Sequence, residues 1–311
     1  MWPKAYAQEI QTAWARVRAV CSQTLQTSWG AIEYSTEGTG QPVLMSHGIF
    51  GSHAEALGMT RTYYGDGALA IAPSRFGYFG SNLPTDATPA VQADVYAALL
   101  DHLGIDRVVA IGFSAGGPSI VEFGLRHPDR IDLLVLLSSA LPREPLPRLV
   151  TTLIPPLMKA ALTDRVMWTF KTLLPGAFQR LIGVPKGFEP SGTQLSTIRE
   201  IGESMLPVRP RRRGVVFDTF IGNPHVNGCA LEKITAPKLL IHAVDDRLAP
   251  YKTALDAAAR MPTARFRSLE GGHEFLGHEA EVRSAIRGAL AELRVKSRGL
   301  SGASVGSGAA V

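Results

Sequence analysis

The sequence predicts an α/β protein: a mostly parallel, doubly wound sheet carrying a helical insertion late in its strand order. Three observations predict it. Short continuous apolar runs recur at Val43–Ser46, Ala68–Ala72, Arg107–Ile111, Leu133–Leu137 and Lys238–Ile241, as expected of strands buried on both faces. Helix-spaced apolar patterns lie between them, the alternation that right-handed crossovers produce. About 95 residues then separate the run ending near Ser139 from the one starting near Lys238, far more than a crossover needs.

Taken in order, residues 1–23 read as an extra amphipathic helix ahead of the core. Residues 24–140 form the first part of the core. Within it Thr88-Pro89 reads as an N-cap followed by proline at the first helical position. Val91, Val95, Ala98, Leu99 and Leu103 then keep an apolar stripe until Gly104 stops it. The helical insertion, a cap on the core, spans 141–236. There Val166, Met167, Phe170, Leu173 and Leu174 are spaced for one helix face, and Pro155-Pro156, Pro175-Gly176, Pro185 and Pro190 punctuate the segment. Residues 237–296 complete the core, with a weaker, alternating run at Arg265–Leu269. The Ser-, Gly- and Ala-rich tail, 297–311, is expected to be disordered.

Composition narrows the class. Hydrophobic residues make up 45% and charged ones 19% of the 311, a soluble globular balance. Met1 to Val20 has no continuous apolar run, and no later segment offers the ~18 unbroken apolar residues of a spanning helix. The two cysteines, Cys21 and Cys229, stand in no metal-ligand spacing and read as free thiols of a reducing compartment, so a cytoplasmic location is expected. Charge is uneven. Residues 141–236 hold 13 Lys/Arg against 7 Asp/Glu, and the remainder 19 against 20. The densest run is Arg209-Pro210-Arg211-Arg212-Arg213. A solvated face is the ordinary reading, with an anionic substrate or membrane surface as alternatives. No nucleic-acid motif or aromatic interleaving accompanies the run, so nucleic acid is not expected as a partner.

Gly112-Phe113-Ser114-Ala115-Gly116 and Gly302-Ala303-Ser304-Val305-Gly306 both fit G-x-S-x-G, and only their surroundings separate them. Ser114 follows an apolar strand and precedes the helical Ile120-Val121-Glu122-Phe123, whereas Ser304 has neither beside it. A serine on that junction is thrust outward, with the next amide at the positive end of a helix. Such a hydroxyl needs a base. Among eight histidines, His273 in Glu270-Gly271-Gly272-His273 follows the last apolar run and is the leading candidate, with His278 in reserve. The base needs an orienting carboxylate, and Asp245-Asp246 end the run at Leu239–Val244. Both aspartates stay open on this ground.

The chain resembles the α/β-hydrolase fold superfamily, in its capped, esterase-like branch, from about Trp29 to Leu293. The likeness rests on Ser46-His47-Gly48-Ile49-Phe50-Gly51-Ser52, the Gly112–Gly117 elbow, Ala236 to Arg247, and Gly271-Gly272-His273. It implies an insertion between the sixth and seventh core strands. It points to Asp246 rather than Asp245, because the family's acid falls three residues after a small residue, here Ala243. It also implies that the amides of Ile49 and Ala115 hold an oxyanion, and no metal or organic cofactor. Ser74 stands where the family commonly has aspartate, and Glu274 where carbon–carbon bond hydrolases commonly place tryptophan.

These readings lead to a serine hydrolase that cleaves a carboxylic ester or thioester of a hydrophobic small molecule through an acyl-enzyme. Ser114 is the expected nucleophile, His273 the base and Asp246 the acid. The alternatives are an acyltransferase, perhydrolase or carbon–carbon bond hydrolase on the same residues, or a non-catalytic ligand-binding protein of the same fold. The sequence leaves the oligomeric state open.

Overall fold

Eight strands form one sheet in a computed structural model of the chain, which describes residues 2–144 and 147–303. They are β1 (Gln23–Thr27), β2 (Gly30–Gly38), β3 (Gln41–Ser46), β4 (Ala68–Pro73), β5 (Val108–Phe113), β6 (Ile131–Leu137), β7 (Lys238–Ala243) and β8 (Arg265–Leu269), laid out as β1-β2-β4-β3-β5-β6-β7-β8. The β1–β2 and β2–β4 pairings are antiparallel and all the others parallel. The six apolar runs coincide with β3 to β8. The β1–β2 hairpin carries no such run, because Gln23-Thr24-Leu25-Gln26-Thr27 lies at a half-exposed edge and needs no apolar face.

Helices cover both faces. The helices are α1 (Trp2–Arg18), α2 (His53–Tyr63), α3 (Pro89–His102), α4 (Gly117–Arg126), α5 (Arg148–Ala161), α6 (Asp164–Leu173), α7 (Pro175–Leu181), α8 (Gly192–Ser204), α9 (Arg212–Phe217), α10 (Asn223–His225), α11 (Tyr251–Arg260) and α12 (Glu279–Ala303). On one face Leu99, Leu100, Ile120, Phe123 and Ala254 of α3, α4 and α11 close over Leu44, Ala110, Leu134 and Leu240. On the other, Leu57, Val282 and Ile286 of α2 and α12 close over Met45, Ile111, Val135 and Ile241. Thr88 Oγ1 accepts from the Val91 amide at 3.2 Å to cap α3, and Gly104 with φ +65° follows its end. Among the described residues no helix is long and apolar enough to cross a membrane.

Helices α5 to α10 all lie between β6 and β7. Helices α6 to α8 share a core of Met167, Trp168, Phe178, Ile182, Ile198 and Met205, to which α1 contributes Ala13. Helix α1 is fixed there by polar contacts too. Trp168 Nε1 donates to Glu9 at 2.8 Å, Lys171 pairs with Glu9, and Arg16 Nη2 donates to the Glu203 carbonyl at 2.7 Å. The stripe read on α6 is only partly a core face: Met167 is buried, but Val166, Leu173 and Leu174 are exposed. The C-terminal helix α12 runs on to Ala303, through the first residues of the segment expected to be a disordered tail. Residues 304–311, Ser304 among them, lie outside the described residues.

Candidate active site

Parallel register sets the site's position. Ser46 of β3 is paired with Gly112 of β5, and Ala243 of β7 with Leu269 of β8. The four loops that leave these strands therefore emerge along one edge of the sheet, where ligands of open α/β sheets bind. Those loops carry Ile49, Ser114, Asp246 and His273.

Ser114 opens a single 3-10 turn between β5 and α4 with φ +51°, a left-handed conformation costly for a residue with a Cβ. Its neighbours must be small. A Cβ on Gly112 would come within 2.8 Å of Gly117 Cα, and one on Gly116 would collide with the Ser46 carbonyl oxygen. The strain persists because Ala140 N donates to the Ser114 carbonyl at 2.9 Å and α4 packs directly behind.

Ser114 Oγ lies 2.8 Å from His273 Nε2, and His273 Nδ1 lies 2.8 Å from Asp246 Oδ2. With the Nδ1 hydrogen donated to Asp246, Nε2 is left to accept from the serine hydroxyl. The aspartate is held in turn: its Oδ1 accepts from the amides of Leu248 at 2.8 Å and Ala249 at 3.0 Å. His242 supports the same loop by donating Nε2–H to the Ala249 carbonyl at 2.7 Å. Burial alone would raise the Asp246 carboxyl, but the hydrogen bond and charge of His273 hold it below its ordinary range. Burial alone would lower His273, and the Asp246 bond and charge outweigh it and lift the imidazole above 6.5.

The other candidates fall apart from this chain of bonds. Asp245 Oδ1 accepts from the Gly272 amide at 3.0 Å and so braces the loop of His273. His278 pairs with Glu281 at 3.0 Å, just ahead of α12. His47 is buried and self-contained: Nδ1 donates to the Gly48 carbonyl at 2.7 Å and Nε2 accepts from the Arg75 amide at 3.0 Å. Burial, helped by the Arg75 charge, pushes its pKa well down and keeps it neutral.

Sequence reasoning passed over Arg75 and Asp218. Arg75 donates Nε–H to the His47 carbonyl at 2.7 Å and pairs Nη1 and Nη2 with Asp218 at 2.7 and 2.6 Å. Tyr78 also donates to Asp218. The pair is dry, with 4% and 0% of the two side chains exposed. It clamps the turn that bears Ile49 to the π-helical turn Asp218–Gly222 of the insertion. A π turn so close to a site is a recurrent feature, but no spacing in the sequence links residue 75 to residue 218.

A cavity of about 660 Å³ opens onto Ser114 and His273, with Ile49 and Ala115 also in its wall. Phe50, Met59, Leu181, Ile201, Met205 and Leu248 supply apolar lining from both the core loops and the insertion. The basic run does not reach it. Arg211 is fully buried elsewhere, paired with Glu55 at 2.8 Å, and its guanidinium lies 4.5 Å from the centre of the Phe79 ring.

Away from the cavity, Glu122, His225 and Cys229 bring donor atoms within 4.8 Å of one another, the one such group among the described residues. They satisfy each other instead: His225 Nε2 donates to Glu122 at 2.6 Å and the Cys229 thiol to the same carboxylate at 3.4 Å. Burial and the Glu122 charge push that thiol up to about 12.

Comparison with known proteins decides the family. Residues 41–184 match the family model of the alpha/beta hydrolase fold. The chain belongs to the α/β-hydrolase superfamily. A solved alpha/beta hydrolase fold protein from Nakamurella multipartita is 27% identical, with TM-score 0.65 over 88% of this chain and 98% of that one. An uncharacterized hydrolase of Bacillus subtilis, YcgS, is 31% identical over 57% of this chain, a match that spans only 60% of that relative. A putative non-heme haloperoxidase of Mycobacterium phage D29 is 26% identical over 80% of this chain and 86% of the relative. The family match contains the Ile49 turn and the Ser114 elbow, and ends before Asp246 and His273.

Proposed function

We propose that this α/β-hydrolase cleaves a carboxylic ester or thioester through an acyl-enzyme on Ser114. The unbroken line of 2.8 Å contacts from Ser114 Oγ through His273 to Asp246 carries the reading. His273 takes the serine proton as Oγ attacks the carbonyl carbon, and the Asp246 carboxylate stabilises the imidazolium that forms. The carbonyl oxygen, now anionic, is received by the amides of Ile49 and Ala115. Two such donors, fixed before the charge develops, are worth ~2.7–4 kcal/mol of barrier each in comparable sites. His273 then returns the proton to the leaving group, and a water molecule activated by the same imidazole releases the acid.

The apolar lining of the cavity favours a hydrophobic acyl or alcohol group. The likeness to the putative non-heme haloperoxidase of Mycobacterium phage D29 supports a second reading, in which an acceptor such as peroxide takes the acyl group in place of water. Product analysis with competing nucleophiles separates the two. The reading as a whole is tested by fluorophosphonate labelling of the wild type, Ser114→Ala and Ser304→Ala. Labelling lost only in Ser114→Ala is the expected result, and undiminished labelling of that variant would overturn the reading.

A further inference from the structure

The cavity's charge runs against that of the chain. The protein carries a formal +5, yet four glutamates, Glu55, Glu200, Glu274 and Glu279, line the space beside Ser114 against a single arginine, Arg143. Two of the four are engaged: Glu55 with Arg211 and Ser52, and Glu279 with the Gly277 amide at 3.1 Å. Glu200 and Glu274 have no side-chain hydrogen bond or ion pair among the described residues. Asn223, in the same wall, has a buried Oδ1 with no hydrogen-bond partner. The cavity thus offers acceptors whose donors the protein does not supply. Glu200 is exposed and Glu274 half-buried, so water reaches both, whereas the buried Asn223 Oδ1 is a costly acceptor that favours a ligand bringing a donor.

Glu274 holds the decisive position. It directly follows His273, and its residue keeps partial exposure where it lines the cavity. Burial holds its carboxyl up at about 7, with His273 pulling down and Asp246 pushing up. Tyr63 and Glu279 are the other titratable groups nearby. A cation placed against this carboxyl would ionise it and gain a charge-assisted hydrogen bond in a setting shielded from water.

We propose that Glu274 selects substrates by charge, so that the site takes an ester whose apolar body carries a protonated amine and discriminates against one carrying a carboxylate. This rests on the hydrolase reading for the bond that reacts, but not for the selection itself. It also runs against the alternative reading in which the basic segment draws in anionic substrates, since none of Arg209, Arg211, Arg212 and Arg213 lines the cavity.

The test uses three nitrophenyl esters whose acyl chains end in a methyl, an ammonium or a carboxylate group, with the wild type and Glu274→Gln. In the wild type kcat/KM should fall in the order ammonium, methyl, carboxylate, with about tenfold between the first two, the size of a hydrogen bond to a charged group. In Glu274→Gln the ammonium-to-methyl ratio should collapse towards one. An unchanged ratio, or a wild type that prefers the carboxylate, overturns the proposal. Calorimetric binding of decylammonium and decanoate to Ser114→Ala, with and without Glu274→Gln, reads selection without turnover. If no ester is hydrolysed but decylammonium binds and weakens about tenfold on adding Glu274→Gln, the hydrolase reading falls and the selection stands. Equal binding of the two amphiphiles, or of neither, sinks the selection alone.

Discussion

Asp218→Asn tests how the insertion and the Ile49 turn hold one another. The substitution keeps the shape of the side chain but removes the charge opposite Arg75, whose side chain is only 4% exposed. Two short bonds, at 2.7 and 2.6 Å, lose their charge assistance, and a buried cation is left without its counter-ion. Breaking a buried pair in this way costs about 3–5 kcal/mol, much of it desolvation that nothing offsets. Against a total stability of 5–15 kcal/mol for typical proteins, that is a large fraction. Urea unfolding followed by circular dichroism measures it, and the transition midpoint should fall with the slope unchanged. Arg75→Met removes the stranded charge, so the double variant should recover about 2 kcal/mol relative to Asp218→Asn alone. Fluorophosphonate labelling should slow in Asp218→Asn, since Arg75 also holds the His47 carbonyl beside Ile49. A loss below about 1 kcal/mol, or strict additivity in the double variant, would refute the reasoning.

Further outcomes are expected. Gly116→Ala, which drives a Cβ against the Ser46 carbonyl, should cost more than about 2 kcal/mol in the same unfolding assay. Asp246→Asn should lower kcat by about 10³–10⁴-fold, while Asp245→Asn, which loses at most one bond to the Gly272 amide, should stay within about threefold. Because His273 must be neutral to accept a proton and its pKa is raised, kcat/KM should fall as pH drops through a midpoint above 6.5, and Asp246→Asn should move that midpoint down. The same shift contributes stability that is full below the unfolded value of about 6.5 and is lost as pH rises through the folded value, which pH-dependent unfolding checks. Deleting residues 1–18 uncovers Trp168 and frees Glu203, so limited proteolysis should then cut α5 to α8 faster than in the full chain.

The parts that were legible in the sequence share one property: their physics is local or periodic. Continuous apolar runs mark β3 to β8 because strands buried on both faces tolerate little else. Thr88-Pro89 and Gly104 bound α3 through capping, which needs only neighbours. Ser114 and His273 sit beside glycines that their tight turns require, and those glycines were the signal. What escaped depends on distant contacts. The hairpin of β1 and β2 has no continuous apolar run: β1 lies at the exposed edge, and β2 buries Ile32 and Tyr34 only in alternation. Arg75 meets Asp218 across 143 residues, and Arg211 looked like part of a solvated basic face although it is fully buried against Glu55 and Phe79. Glu122, His225 and Cys229 likewise converge only in three dimensions.

The main chain itself stitches the end of the insertion to the loop after β4. Phe79 N donates to the Pro210 carbonyl at 2.8 Å, and Gly214 N to the Gly77 carbonyl at 3.0 Å. Any side chain at Gly77 would strike residue 214 and any at Gly214 the Tyr78 ring, so the two segments fit only as a matched set. For recombination this moves the seam. A donor segment spliced in at 141–236 would arrive without its partners, whereas one ending near Val208 leaves Pro210, Gly214 and Asp218 with the loop they grew up beside. The seam that keeps these contacts intact therefore runs near Val208, with Arg209 to Gly222 left beside residues 75–79.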